Sequence, residues 1–244
     1  MRSVEYLSEL YDYERRIKDI SRRPLSVTVR CDTPIASNDP VALDGILAWA
    51  VVAEGFQGRP FPQGGGPYWQ PLPLRLEKRI DGLPLWQSTD FIPNELHKRM
   101  THIHRRTSDN PYAMPALIET SGDKRPRRFP RSDSGPYMDY RVPERRYVAE
   151  SWTAFCVGNQ AEVERLLSTI QYFGKGSKRG CGFVGEWVVE TCDAFSFRNN
   201  RGEALRPIPV EENDAVGVRC GWTPPYWLKD TWRICEPSVV TRML

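Results

Sequence analysis

Residues 172–187 read YFGKGSKRGCGFVGEW, and this stretch decides the fold because it separates two segments of different periodicity. Apolar residues recur every three or four positions before it, as they do along one face of a helix. Residues 183–190, at its end, have the composition of a β-strand. The stretch contains five glycines and three cations. Glycine lets a ligand approach the backbone closely, and exposed amides in such a loop can bind an anion. The stretch therefore predicts a phosphate-binding loop between a helix and a strand.

The segment before this loop carries its own start and stop signals for a helix. Asn159 with Glu162 three residues later matches a capping box, and Gly174 fits the C-cap position. A strand is predicted over residues 146–157, so the chain continues strand, helix, loop, strand. The helix is expected to bury one apolar stripe, made of Val163, Leu166, Leu167, Ile170 and Phe173.

The loop does not belong to the common nucleotide-binding motifs. GKGSKRG does not match the Walker A pattern, and the loop follows a helix instead of opening one, which also disfavours a dinucleotide-binding fold. The plain alternative is a solvent-exposed connector, in which Gly174 caps the helix and the cations favour its negative end. Five glycines exceed the requirement of one helix cap.

An earlier part of the chain repeats the strand–helix pattern. Residues 25–30 alternate apolar and polar as a half-buried strand does, and Asp39-Pro40 is a good start for a helix over residues 41–53. Asp44 lies in the first turn of that helix, where an acid is mildly favourable, and no catalysis is assigned to it. Asp81-Gly82 then separates residues 72–80 from residues 85–91 and predicts a hairpin. Two such units indicate an α+β fold.

Regular patterning fades between the two units, where positive charge collects. Residues 97–146 hold twelve Lys or Arg and six Asp or Glu, a net charge of +6 that leaves −3 for the rest of the chain. Cations interleaved with aromatic rings suit single-stranded nucleic acid, and the alternative is a solvated loop. The candidate cations are Arg105, Arg106, Lys124, Arg125, Arg127, Arg128 and Arg131.

The three histidines lie in the same segment, at His97, His102 and His104. His102 and His104 could form an acid–base pair for RNA cleavage or hold a metal ion. The sequence offers no evident nucleophile or third ligand, so contact with RNA or solvent is expected and no catalytic or metal-binding residue is predicted. The six cysteines form no CxxC pair, which argues against a zinc site, and no cofactor is predicted.

The chain as a whole has 244 residues and a net charge of only +3. Its longest apolar run, residues 46–53, is far too short to cross a bilayer, and the first residues do not resemble a secretion signal. A cytoplasmic protein without a membrane partner is expected.

Two stretches resemble the RAMP superfamily of CRISPR RNA-binding proteins. VALDGILAWAVV, residues 41–52, is similar to the start of the first helix in that superfamily, and FGKGSKRGCGFVGEW, residues 173–187, is similar to its signature loop and following strand. The match covers roughly residues 24–190. Within the superfamily the chain most resembles the Cas five family subunit of a type IV CRISPR effector complex.

This resemblance implies a ferredoxin-like (RRM-like) RAMP fold with a basic thumb-like insertion and a glycine-rich loop after the second helix. The implied organisation is a helical extension over 1–23, a core over 24–94 and 147–190, the insertion over 95–146 and a Trp- and Pro-rich extension over 191–244. The loop residues implied to contact RNA are Gly174, Lys175, Gly176, Lys178, Arg179, Gly180 and Gly182.

The implied function is that of a non-catalytic ribonucleoprotein subunit in antiviral defence. It would cap the 5′ handle of the guide CRISPR RNA beside the backbone and large subunits of the effector, and could border target DNA near its protospacer-adjacent motif. Two alternatives stay open: a metal-independent endoribonuclease that processes repeat RNA, and a scaffold protein that docks acidic protein partners.

Overall fold

The computed structural model describes residues 11–56, 71–105, 140–210, 217–226 and 228–244. The chain divides into a main unit, Met1–His97 with Tyr147–Leu244, and a middle unit, Lys98–Arg146. The described helices are α1 (residues 11–18), α2 (Leu43–Phe56), α3 (Gln160–Leu167) and α4 (Val239–Met243). The described strands are β1 (Arg23–Cys31), β2 (Ile35–Ala36), β3 (Leu76–Ile80), β4 (Leu83–Trp86), β5 (Ile92–Asn94), β6 (His97–Arg105), β7 (Tyr140–Val148), β8 (Ser151–Gly158), β9 (Val184–Thr191), β10 (Ile208–Pro209), β11 (Val218–Gly221) and β12 (Trp232–Glu236).

The core of the main unit is a four-stranded antiparallel sheet in the order β5-β8-β1-β9. Helix α2 follows β1 and helix α3 follows β8, so the chain is α+β, as predicted. This order and connectivity are compatible with the expected RRM-like arrangement. The burial pattern of strand β1 shows that one face of the sheet is covered. Leu25, Val27 and Val29 are fully buried, while Ser26 and Thr28 on the opposite face are only half-buried.

Both helices pack into the same apolar core as β1. Leu43 and Leu47 from α2 and Val163 and Leu166 from α3 are buried in one cluster, which also contains Phe173. The predicted stripe of the second helix is therefore confirmed as a buried surface. Burying such a side chain contributes roughly 1.5–3 kcal/mol relative to leaving it in water.

The start of α3 matches the prediction and its end does not. Asn159 is the N-cap, and its side-chain oxygen accepts a hydrogen bond from the Glu162 N–H at 3.0 Å. The helix ends at Leu167 with Ser168 as the C-cap, so the prediction that Gly174 caps it was wrong. Helical hydrogen bonding gives way to tighter i to i−3 bonds from Thr169 onward, while the chain continues into the core.

The hairpin prediction is confirmed at its turn. Asp81 and Gly82 have φ values of 50° and 78°, which is the left-handed pair that a two-residue hairpin loop requires. Strands β3 and β4 pair antiparallel on either side of it. Both strands are shorter than predicted, because β3 begins only at Leu76 and β4 ends at Trp86.

The C-terminal part forms a separate antiparallel sheet, β10-β12-β11, and contributes one buried cation to the core region. Arg206 is 1% exposed and lies 3.1 Å from a carboxylate oxygen of Asp44. The same guanidinium donates to the Ser88 Oγ at 3.0 Å and the Trp222 carbonyl at 2.6 Å, and Tyr226 donates its hydroxyl to Asp44 at 2.5 Å. The interpretation of Asp44 as a simple first-turn acid was incomplete, because Asp44 is buried and ion-paired.

A second buried carboxyl, Asp90, makes the stability of this region depend on pH. Burial raises its pKa to about 7, although a hydrogen bond from Ser238 and the charge of Arg206 oppose the rise. The folded chain therefore keeps a proton on Asp90 at pH values where the unfolded chain has lost it. As pH rises from about 4 to about 7, this group should lower the free energy of unfolding by up to about 1.4 kcal/mol per pH unit.

The variant Asp90→Asn should lack this dependence, because an amide does not titrate. Urea unfolding of both proteins at pH 5 and pH 7 measures the contribution, which is the difference between their two pH responses. Equal responses would show that Asp90 is already ionised in the folded state at pH 5.

Candidate nucleic-acid interface

The glycine-rich loop has a backbone that only glycine adopts readily. Four of its residues have φ between 69° and 84°: Gly174, Gly176, Gly180 and Gly182. Between the inner two, Ser177–Arg179 form one turn of 3₁₀ helix. This geometry places three polar side chains at the tip of a tight, glycine-bounded turn.

The root of the loop is fixed by the segment that follows β1. Lys175 donates its N–H to the Ala36 carbonyl at 2.7 Å, and Gly182 donates to the Pro34 carbonyl at 3.0 Å. The N–H of Phe183 donates to the Thr33 hydroxyl at 2.8 Å. The tip, residues 176–180, is thus held at both ends.

The tip combines exposed cations with backbone donors. Lys178 and Arg179 are exposed, and Lys178 makes no ion pair with any residue in the described ranges. The N–H groups of Gly176, Ser177 and Lys178 donate to no acceptor within the part of the chain that the structure describes. Successive backbone N–H groups that donate no hydrogen bond within the described residues, next to positively charged side chains, are suited to binding an anion.

Lys175 forms an ion pair with a carboxylate of the main unit. Its Nζ lies 3.3 Å from Asp39, and the two side chains are 58% and 78% exposed. An exposed pair of this kind contributes at most about 1 kcal/mol, so an incoming phosphate could displace Asp39.

Two exposed aromatic rings flank the root of the loop, and sequence reasoning did not single them out. Tyr172 and Phe183 face each other across an isolated bridge, with ring centroids 5.6 Å apart in an edge-to-face arrangement. Tyr172 is 38% exposed and Phe183 is 43% exposed, whereas Phe173, which follows Tyr172 in the sequence, is fully buried. Exposed rings next to cations can stack on the bases of single-stranded RNA. The sequence does contain a signal for this pair, because an aromatic residue stands on each side of the glycine-rich segment.

Comparison with protein families gives a match that spans most of the chain. The sequence model of CRISPR type IV associated protein Csf3 matches residues 23–236. The chain belongs to the Csf3 family. A comparison with curated proteins gave no match.

Membership of the Csf3 family makes this chain a subunit of a type IV CRISPR complex, which it forms with other subunits. The resemblance to the Cas five family of type IV effectors is therefore confirmed. The match also extends beyond the resemblance seen in the sequence, because it includes the C-terminal sheet.

The structure brings together only the loop members of the predicted site. Gly174, Lys175, Gly176, Lys178, Arg179, Gly180 and Gly182 lie in one turn-rich segment of the main unit. Their role in binding RNA stays a prediction. The candidate cations Arg106, Lys124, Arg125, Arg127, Arg128 and Arg131 lie outside the described residues, and Arg105 is the last residue of β6.

The described part of the middle unit consists of β6 and β7, which lie side by side in a sheet. Thr101 donates its hydroxyl to the Glu144 carbonyl at 3.3 Å across the two strands. His102 Nδ1 lies 3.5 Å from a guanidinium nitrogen of Arg141. The three histidines all lie in β6, and this arrangement assigns them no chemistry.

Among the described residues, no group of three or more His, Cys, Asp or Glu side chains is placed to hold a metal ion. In the same part of the chain, none of the helices has the length and apolar character needed to span a membrane.

Proposed function

We propose that this Csf3-family chain is a non-catalytic subunit that binds and caps the 5′ handle of the guide CRISPR RNA. The loop at residues 174–182 grips handle phosphates with backbone amides and cations, and the basic segment 95–146 acts as a thumb that clamps the strand. The main unit is a RAMP core in this proposal, and its four-stranded sheet order supports that assignment.

The observation that carries the proposal is the chemistry of the loop tip. Three neighbouring amides without an acceptor in the described residues, at positions 176–178, lie beside exposed Lys178 and Arg179. An anion is the ligand that satisfies both features. Tyr172 and Phe183 add a surface for bases, so a phosphodiester strand fits better than an isolated phosphate or an acidic peptide.

The proposal also contains a position within the effector. A subunit that holds the 5′ handle lies at one end of the guide, so target DNA pairing from that end would pass close to it. We therefore include a place near the protospacer-adjacent motif in the proposed function.

The salt dependence of RNA binding tests the loop. Each phosphate neutralised on a single strand contributes about 0.7 to the slope of log K against log salt. The triple variant Lys175→Ala, Lys178→Ala, Arg179→Ala should therefore flatten that slope by about 2 units if all three side chains contact phosphate. Fluorescence anisotropy with a labelled handle RNA at several salt concentrations gives both slopes.

A matched triple variant controls for net charge. Arg201, Arg219 and Lys229 are exposed and lie in the C-terminal part of the chain. Their replacement by alanine should lower affinity slightly and leave the slope within about half a unit. Equal slopes in the loop variant and the wild type would reject the loop as the phosphate-binding element.

Sequencing the RNA that copurifies from cells carrying the CRISPR array tests the rest of the assignment. A mature guide with an intact 5′ handle is expected. Repeat RNA that the purified chain cuts without a metal ion would instead establish the endoribonuclease, and absence of bound RNA would favour the scaffold.

A further inference from the structure

A groove on the main unit is lined by none of the glycine-rich loop residues and combines positive charge with apolar surface. It has a volume of about 690 Å³ and lies between α1 with the residues that follow it and the hairpin of β3 and β4. Five cations line it, against one acid, Glu14. The cations are Arg15, Lys18, Arg22, Arg75 and Arg79.

Two of these five cations have neither an ion-pair nor a hydrogen-bond partner for their side chains among the residues that the structure describes. Lys18 and Arg75 are exposed, and their side chains make no ion pair or hydrogen bond with another described residue. Arg15 pairs with Asp12 at 3.2 Å, but both side chains are more than half exposed. Such a pair contributes at most about 1 kcal/mol and leaves Arg15 free to exchange its partner.

The guanidinium of Arg22 lies in the groove in surroundings that disfavour its positive charge. Its guanidinium donates to the Ile17 carbonyl at 2.7 Å and the Ile20 carbonyl at 3.2 Å, which fixes it at the end of α1. Its Nε is buried and makes no hydrogen bond. Burial lowers the pKa of this guanidinium, and the nearby charge of Arg75 lowers it further. Two cations that repel each other across a groove are stabilised when a carboxylate binds between them.

The apolar lining of the groove is mainly aliphatic. Ile17, Leu72 and Leu74 are nearly fully buried beneath it, and Leu76 is 39% exposed at its edge. Two aromatic residues also line it: Trp86 is buried and Tyr11 is 59% exposed. Single-stranded RNA is held by several exposed rings that stack successive bases, whereas this lining has one exposed ring. Aliphatic surface together with Tyr and Arg is typical of protein interfaces, so the groove favours a peptide that carries both carboxylates and apolar side chains.

We propose that this groove binds an acidic segment with interspersed apolar residues from another protein subunit of the type IV CRISPR complex. The family match makes this chain a member of a multi-subunit complex, so other protein subunits are available to contribute such a segment. The proposal does not rest on RNA binding by the glycine-rich loop.

Photocrosslinking within the assembled complex identifies the occupant. A benzoylphenylalanine placed at Leu76 should crosslink to another subunit, and mass spectrometry should locate the attachment in a segment rich in Asp or Glu. The same group at Val218, which is 49% exposed on β11, serves as the control position. A crosslink from position 76 to RNA, to a segment without acidic residues, or to nothing would overturn the proposal.

Charge reversal on both walls measures how much the groove contributes. The variant Lys18→Glu, Arg75→Glu should reduce the amount of partner subunit that copurifies by about tenfold, because like charges then face the acidic segment. The variant Arg201→Glu, on an exposed site in the C-terminal part, should copurify as the wild type does.

Two measurements keep this result separate from folding and from the proposed function. The urea midpoints of the isolated variants should not fall below that of the wild type, since both side chains are exposed and unpaired among the described residues. Handle-RNA affinity of the isolated subunit should change less than twofold. Unchanged copurification, or a loss of RNA affinity in place of partner binding, would refute the assignment.

Discussion

Replacing Gly182 with alanine should lower the free energy of unfolding by roughly 3 kcal/mol or more, because the new side chain has no space. A Cβ at this position would lie 1.9 Å from the Phe173 carbonyl oxygen, a backbone atom that cannot move aside alone. Gly182 is also buried, and its carbonyl accepts the Phe173 N–H at 2.7 Å. Relieving the clash requires breaking that bond and displacing the root of the loop.

Gly180 provides a control that shares the backbone conformation and lacks the clash. Both residues have φ of 69°, but a Cβ at Gly180 would meet no atom within 4 Å. The variant Gly180→Ala should therefore cost only the left-handed conformation, about 1–2 kcal/mol.

Urea unfolding of the two variants measures the difference, which is the steric part of the Gly182 effect. Handle-RNA affinity should fall more for Gly182→Ala, since the displaced root carries Lys175 at one end and Phe183 at the other. Similar midpoints for both variants would mean that the close packing of Gly182 against Phe173 does not exist in solution.

Local signals were sufficient for the elements that depend on neighbours in sequence. The alternation in residues 25–30 identified β1, the Asp81-Gly82 pair identified a hairpin, and Asn159 identified the start of α3. Each of these features depends on contacts within a few residues, so a single sequence contains the information needed to find it.

Features that depend on distant contacts were missed or misread. Gly174 looked like a helix cap, but Ile170 and Phe173 are buried beyond the end of α3, so the chain had left the helix before reaching it. Asp44 and Tyr226 are 182 residues apart, and no local pattern indicates that they share a hydrogen bond. The exposure of Tyr172 and Phe183 likewise depends on the pairing of the two loop flanks.

Removing the buried guanidinium at Arg206 should lower the free energy of unfolding by about 3–5 kcal/mol in the variant Arg206→Met. Methionine fills much of the same space, so the cost arises from charge and hydrogen bonding. Buried Asp44 would lose its ion-pair partner, and the Ser88 and Trp222 oxygens would each lose a donor. Burial opposes the charge on Arg206, but Asp44 and Tyr226 raise the pKa of the guanidinium above its usual value, so it stays protonated at neutral pH.

An exposed ion pair gives the matched control for this change. Arg198 contacts both carboxylate oxygens of Glu236, and the two side chains are 47% and 28% exposed. The variant Arg198→Met should cost at most about 1 kcal/mol, because water replaces the lost partner. The difference between the two variants isolates the effect of burial on otherwise similar arginine–carboxylate contacts.

A double variant separates the lost ion pair from a general packing defect. In Asp44→Asn, Arg206→Met the stranded carboxylate is gone, so the pair should be less destabilised than the sum of the two single variants. Chemical denaturation of all four proteins at pH 7 gives the coupling. Strictly additive effects would show that Asp44 and Arg206 do not stabilise each other.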